Sequence, residues 1–199
     1  MFYIFDNVVT KSLANNIENY VINGLSYKYN RQTSFNTKYY QGEIFKDSNT
    51  HDKGHLTCPI YFDDQPPQPH QNYFPTLEVI LLSCLDSVNM ELNHIKRVKV
   101  NLLRQENFPE NHYNIPHHDD SSGYSLLYYI NDSDGDTFLF NEYYDGKKYP
   151  EQLSVFQRVK PKKNRAILFE SARIHASSNP LLTDERCVIN FTFTVSKNG

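Results

Sequence analysis

Apolar and polar positions change period along this chain, and the changes divide it. Residues 1–5 form a short apolar run that predicts a strand. Thr10 suits a helix N-cap, and Leu13, Ile17, Tyr20 and Val21 follow helical spacing up to Gly24, which can close the helix. Residues 25–74 show no clear period. They scatter Tyr27, Tyr29, Tyr39, Tyr40, Phe45, Tyr61 and Phe62 ahead of the turn-rich Asp63-Asp64-Gln65-Pro66-Pro67-Gln68-Pro69, so strands and long loops are expected. Pro75 fits the first position of a second helix. Leu77, Ile80, Leu81, Cys84, Leu85 and Val88 then mark one buried face, to about Met90.

From residue 95 the period drops to two. Residues 95–103 alternate around Val98, Val100 and Leu102, with Lys96, Arg97 and Lys99 between them, which reads as a half-buried strand with a solvated basic face. A polar loop, 104–111, follows. Short strands are then expected at 124–130, 137–141, 155–159, 165–169 and 186–195. Between them lie the hairpin-type turn Asn131-Asp132-Ser133-Asp134-Gly135-Asp136, a polar loop at 142–153 and a turn at 161–164. The hairpin-type turn lacks the spacing and the closing Glu of an EF-hand loop. Many short strands with almost no helix predict an all-β sandwich or jelly roll, buttressed by the two upstream helices. The chain reads as a single domain over residues 1–199, with helical and loop support in 1–94 and a jelly-roll core at about 95–195.

Composition narrows the function classes. Hydrophobic residues make up 39% and charged residues 22%, the balance of a globular protein. A net charge of −3 offers no basic footprint for nucleic acid or an anionic membrane. With 15 Tyr and 13 Phe and no Trp, aromatics are dense, which suits pleated sheets and open clefts. Cys58, Cys84 and Cys187 are far apart and lack zinc-ligand spacing. They are expected to be reduced thiols of a cytoplasmic protein, and neither a leader peptide nor a membrane span is expected.

The chemistry concentrates in Tyr113-Asn114-Ile115-Pro116-His117-His118-Asp119-Asp120. In an extended segment His117 and Asp119 share one face, and His118 and Asp120 the other. Either pair, with a distant histidine, can build a 2-His-1-carboxylate facial triad that leaves positions open on ferrous iron. His175, in Ser171-Ala172-Arg173-Ile174-His175, is the best distant candidate. His51 and His55 read as solvated loop histidines, and His94 and His112 as structural or solvated.

These residues resemble the 2-oxoglutarate- and Fe(II)-dependent oxygenases, on the prolyl-4-hydroxylase-like side. The elements run in that family's order: Pro116-His117-x-Asp119, Leu127-Tyr128-Tyr129-Ile130-Asn131, Gly135-Asp136-Thr137, His175 and Arg186. The likeness covers roughly residues 95–195 and is strongest to small members encoded by bacteriophages. It implies a double-stranded β-helix with His117, Asp119 and His175 as iron ligands, and Pro116 favours that register over His118/Asp120. It implies that Arg186 and Tyr129 bind the far carboxylate of 2-oxoglutarate. Asn190, on the Arg186 face of the same strand two pairs further in, is a third cofactor-binding candidate, expected to approach the iron site. The likeness further implies that 2-oxoglutarate is decarboxylated to succinate while one oxygen atom of dioxygen enters a substrate C–H bond, with ascorbate as an accessory reductant. A prolyl residue of a peptide or protein is the leading substrate, ahead of a free amino acid or another small molecule. A phage origin would put the protein in a host cytoplasm. A cupin-type metalloenzyme and a catalytically silent jelly-roll binding module remain as alternatives. The sequence names neither the substrate nor the oligomeric state.

Overall fold

The computed structural model describes residues 1–33, 47–147 and 150–196. Tyr39, Tyr40 and Phe45, expected in strands or loops of the upstream region, lie outside the described residues. In chain order the elements are β1 (Phe2–Asp6), α1 (Lys11–Gly24), β2 (Lys28–Asn30), β3 (His55–Phe62), α2 (Phe74–Asp86), β4 (Leu92–Arg104), β5 (Tyr124–Tyr129), β6 (Thr137–Tyr143), β7 (Val155–Val159), β8 (Arg165–Glu170), β9 (Arg173–Ser177) and β10 (Glu185–Val195).

Ten strands form two antiparallel sheets among the described residues. One has seven strands in the order β1-β8-β5-β10-β4-β3-β2, and the other three in the order β7-β6-β9. Residues of the His117 segment add to the smaller sheet through an antiparallel bridge between His117 and His175. The two sheets face each other as a double-stranded β-helix. The upstream region thus supplies strands as well as helices: β1 pairs with β8, and β3 with β4.

The large sheet is apolar on its outer face. Val98, Val100 and Leu102 of β4 and Cys187, Ile189, Phe191 and Phe193 of β10 pack against Ile17 and Val21 of α1 and Leu77, Ile80, Leu81 and Leu85 of α2. The helices form where expected. The Thr10 hydroxyl accepts from the Leu13 amide at 3.3 Å, and Pro75 lies in the first turn of α2. Gly24 ends α1, but through an extended Leu25 rather than a left-handed cap. Helix α2 stops at Asp86, short of Met90, where Ser87 and a positive-φ Asn89 turn the chain.

Between the sheets the apolar contacts are fewer. Leu127, Tyr129, Leu139, Val159, Ile167, Phe169 and Val188 fill part of the interior. Most of the other inward positions are polar, and they make the site. The Asn131–Asp136 turn holds one end of it. The Asn131 side chain donates to the Glu185 carbonyl and accepts from the Cys187 amide, both at 2.9 Å, which fixes the start of β10. Asp134 accepts amide hydrogens from Leu181, Leu182 and Thr183. Gly135 passes close to the chain: a Cβ there would sit 2.6 Å from the Ser178 carbonyl oxygen and 3.1 Å from Arg186 Cδ, so a side chain would displace the arginine.

Candidate metal centre and carboxylate pocket

The His117–Asp119 segment is extended without being a full strand. His117 exchanges both backbone hydrogen bonds with His175, at 2.9 and 2.8 Å, and the Asp119 amide donates to the Ser171 carbonyl at 3.0 Å. Strand-like alternation survives this irregularity. Among the described residues, His117, Asp119 and His175 offer ligand atoms that all lie within 4.8 Å of one another. His118 points the other way and stacks on Tyr144, with ring centroids 4.2 Å apart. Asp120 pairs with Lys96 at 2.9 Å. The structure therefore converges one of the two possible pairs with His175 and turns the other away.

Each converging group is oriented by a neighbour. Nδ1 of His117 faces the Ile115 carbonyl and Nδ1 of His175 the Arg173 carbonyl, both at 3.0 Å, which leaves Nε2 of each ring as the remaining ligand atom. Asp119 accepts from Arg97 Nη2 at 2.7 Å, from the Ser125 hydroxyl at 2.7 Å and from Asn190 Nδ2 at 3.0 Å. Burial alone would raise its carboxyl pKa, but Arg97, then His175 and His117, outweigh it and hold the group well below the usual carboxylate range. Burial, then the neighbouring His175, pushes His117 down to about 3, and burial also lowers His175. The set is two neutral imidazoles and one ionised carboxylate, the donor chemistry that suits a divalent first-row metal.

Deeper in the barrel lies Arg186, only 2% exposed. Its Nη2 donates to the Thr137 hydroxyl at 2.7 Å, and the Tyr129 hydroxyl donates to the same oxygen at 2.8 Å. The guanidinium lies 5.7 Å from the Tyr129 ring centroid. Its Nε is buried without a partner, and among the described residues no carboxylate pairs with it. Asp184 and Glu185, its sequence neighbours, do not neutralise it: Glu185 is drawn to Arg104 at 3.1 Å. Burial depresses the Arg186 pKa, with Tyr129 acting the other way. An inner pocket joins this end to the metal centre, bordered by Asn101, Thr137, His175, Arg186, Val188 and Asn190. Asn190, a cofactor-binding candidate expected to approach the iron site, donates to Asp119 at 3.0 Å and borders the same pocket.

Several site residues escape a sequence reading. Arg97 and Lys99 do not lie on a solvated face. The polar side of β4 is the barrel interior, because a closed pair of sheets turns one side of each strand towards the cavity. Arg97 holds Asp119, and also reaches Asn190 at 3.3 Å and Thr192 at 3.1 Å. Lys99 is half-buried in the cavity wall, and burial, then Arg97, pushes its ammonium down to about 7. His55 is not a loop histidine. It opens β3, is 7% exposed, and is pushed down to about 4 by burial and then by Lys99. Thr137 and Ser125 are also site residues. The alternation of Cys58 and Ile60 with His55 and Thr57 is the available signal for β3, obscured by Pro59 at a bulge. His112 is structural, taking the Asn179 amide on Nε2 at 3.1 Å, and His94 pairs with Asp63 at 2.7 Å.

An outer cavity of about 350 Å³ lies in front of the metal centre, bordered by Lys28, Asn30, His55, Thr57, Arg97 and Lys99 together with His117 and Asp119. A wider groove continues from it past His118, Tyr144 and Gly146. Cys58, Cys84 and Cys187 are buried free thiols, and among the described residues no helix is long and apolar enough to cross a membrane.

No family model matches the chain, and no curated protein matches it in sequence. Solved structures do match in fold. A 2OG-Fe(II) oxygenase family oxidoreductase from Burkholderia pseudomallei aligns over 97% of this chain and 84% of its own, at 13% identity and a TM-score of 0.63. A prolyl hydroxylase from Trichoplax adhaerens, in complex with a hypoxia inducible factor peptide fragment, aligns over 96% and 83%, at 16% identity and a TM-score of 0.57. The non-heme alpha ketoglutarate dependent epimerase SnoN from nogalamycin biosynthesis aligns over 97% and 78%, at 10% identity and a TM-score of 0.57. The chain thus has the jelly-roll fold of the 2-oxoglutarate/Fe(II) oxygenases.

Proposed function

We propose that this protein is an Fe(II)- and 2-oxoglutarate-dependent dioxygenase that hydroxylates a substrate C–H bond. One observation carries the reading: His117 and His175, which converge with Asp119, border the same pocket as a buried Arg186 that no carboxylate pairs among the described residues. A buried guanidinium without a counter-charge is costly, and a bidentate carboxylate is the partner it fits. The residues present suit the metal as well, since the donors are neutral nitrogen and ionised oxygen with their second atoms already committed.

In this reading His117, Asp119 and His175 hold the ferrous ion. Arg186 clamps the far carboxylate of 2-oxoglutarate, and the Tyr129 and Thr137 hydroxyls keep the guanidinium in place. Arg97, Ser125 and Asn190 hold Asp119 ionised and oriented. Leu127 and Val188 keep the inner pocket apolar beside the clamp. The bound iron, with 2-oxoglutarate and dioxygen, supplies the oxidising chemistry, and the chain supplies position and exclusion of water. A prolyl residue of a peptide is the first substrate to test, because a prolyl hydroxylase carrying a peptide shares the fold. A free amino acid or other small molecule comes second, with the epimerase SnoN as the fold relative that points there. Succinate formation from 2-oxoglutarate, with Fe(II) and added ascorbate, tests the assignment. A metal-loaded protein that neither binds 2-oxoglutarate nor forms succinate would be a silent binding module.

A further inference from the structure

Lys99 holds neither a converging ligand nor Arg186, yet it stands between them. It borders both the outer cavity and the inner pocket. On β4 it faces Asn190 of β10, whereas Arg186 faces Leu103. Their backbone positions are therefore four residues, roughly 13 Å, apart along the sheet, at ~3.3 Å per residue. Among the described residues no hydrogen bond or ion pair engages the Lys99 ammonium, although Arg97 beside it is occupied with Asp119. His55 borders the same two cavities, and its Nδ1 is buried without a partner. The outer cavity is otherwise rich in positive groups, with Lys28 and Arg97 in its wall. Asp119, already bound by Arg97, Ser125 and Asn190, is the only carboxylate among its described lining residues.

We propose that Lys99 and His55 form a second anion seat, which holds a carboxylate of the primary substrate in the outer cavity. The proposal rests on the dioxygenase reading. In that reading the ferrous ion and the three cations Arg97, Arg186 and Lys99 outweigh the charges of 2-oxoglutarate and Asp119, so the site has room for a further anion. Arg97 meets Asp119 and Arg186 meets the far carboxylate of the co-substrate, whereas Lys99, on the substrate side, faces no carboxylate of its own. A cavity of about 350 Å³ is at the small end of small-molecule sites, which run from ~300 to ~1,000 Å³, so the carboxylate sits close to the reacting C–H. The α-carboxylate of a free amino or imino acid, or an acidic side chain next to the target residue in a peptide, would both present it.

The test uses the full chain loaded with Mn(II) and 2-oxoglutarate, where binding is read without turnover. Probes come in acid and amide pairs: proline with prolinamide, pipecolate with its amide, and short prolyl peptides with Asp or Asn beside the proline. Binding is followed by thermal shift and calorimetry for wild type, Lys99→Met and Lys99→Arg. The expected result is that acids bind at least tenfold more tightly than their amides, that Lys99→Met abolishes the preference and that Lys99→Arg keeps part of it. Preference among the amino-acid pairs or among the peptide pairs tells the two carboxylate sources apart. If no acid outbinds its amide, or if Lys99→Met leaves the preference intact, the seat is wrong. If Lys99→Met instead weakens 2-oxoglutarate tenfold, the lysine serves the co-substrate and the proposal falls. Failure of the wild type itself to bind 2-oxoglutarate is a separate outcome, which would overturn the dioxygenase reading and the seat with it.

Discussion

At the metal end of the barrel, Asp119 accepts three hydrogen bonds, from Arg97, Ser125 and Asn190, and a guanidinium balances its charge. At the inner end, Arg186 donates to the Thr137 hydroxyl, has a buried Nε with no partner, and faces no carboxylate among the described residues. In the first region the counter-charge of Asp119 is built into the protein. The second is complete only with a ligand. Burying an ion is tolerable when its partner is built in, and costly when the partner must arrive from solution. Binding energy from the co-substrate can therefore be concentrated at the inner end, while the metal end stays fixed throughout.

The largest expected effect lies at the metal end. His117→Ala, Asp119→Ala and His175→Ala should each lower iron-dependent succinate formation to background and reduce bound iron, measured by metal analysis after gel filtration. Retained turnover in His175→Ala would break the triad. At the inner end, Arg186→Ala removes a charge-assisted partner at a cost on the order of 2–5 kcal/mol. The 2-oxoglutarate KM should rise by at least ~30-fold, at about tenfold per ~1.4 kcal/mol. An unchanged KM would place the carboxylate elsewhere.

Stability should separate the two ends by sign. Without ligand, Arg186→Met should stabilise the protein in urea unfolding, by about 1–4 kcal/mol on the scale of other buried charges replaced by apolar groups. Asp119→Asn should destabilise it, because Arg97 is left without its anion. The same sign for both would erase the contrast. Tyr129→Phe removes one hydroxyl bond to Thr137 and should cost about 0.5–1.5 kcal/mol, read as a small rise in 2-oxoglutarate KM. The smallest effect is expected for His118→Ala, whose ring stacks on Tyr144 outside the converging group. A loss equal to that of His117→Ala would reverse the choice of register.

Acid should act through the buried histidines, and His55 is one whose share can be separated from the metal ligands. Its folded pKa, about 4, lies below the ordinary 6.5, so the unfolded chain takes up the proton first. Its contribution to stability is whole above about pH 6.5 and is lost as the pH falls towards 4. The urea midpoint of the metal-free protein should drop across that window, and a His55→Asn variant should show a smaller drop.

Much of this contrast is legible in the sequence, but unevenly. His117, Asp119, His175 and Arg186 can be picked out because rare residue types recur in order. The β-rich architecture follows from the change of period at residue 95. Arg97 and Lys99 are missed for a physical reason. Alternation tells which residues share a face, and it does not tell whether the polar face meets bulk water or an enclosed cavity. On β10 the same alternation places Arg186, Asn190 and Thr192 inward and Cys187, Ile189 and Phe191 against the helices. Alternation also puts Asn190 on the Arg186 face and towards the iron site, but its partner, Asp119, is distant along the chain and is not legible there.

The pairing of β1 with β8 and of β4 with β10 also bears on how the protein is made. A strand near the start of the chain finds its partner only after most of the chain exists. During synthesis the apolar faces of α1 and α2 emerge long before β5, β8 and β10 can cover them. Topologies dominated by such distant contacts fold slowly, on the order of milliseconds to seconds, and expose sticky surface in the meantime. His175 and Arg186 come late in the same order, so the nascent protein cannot capture metal or co-substrate with the full site. Cofactor can stabilise the finished fold, yet it cannot guide the early steps that lead there.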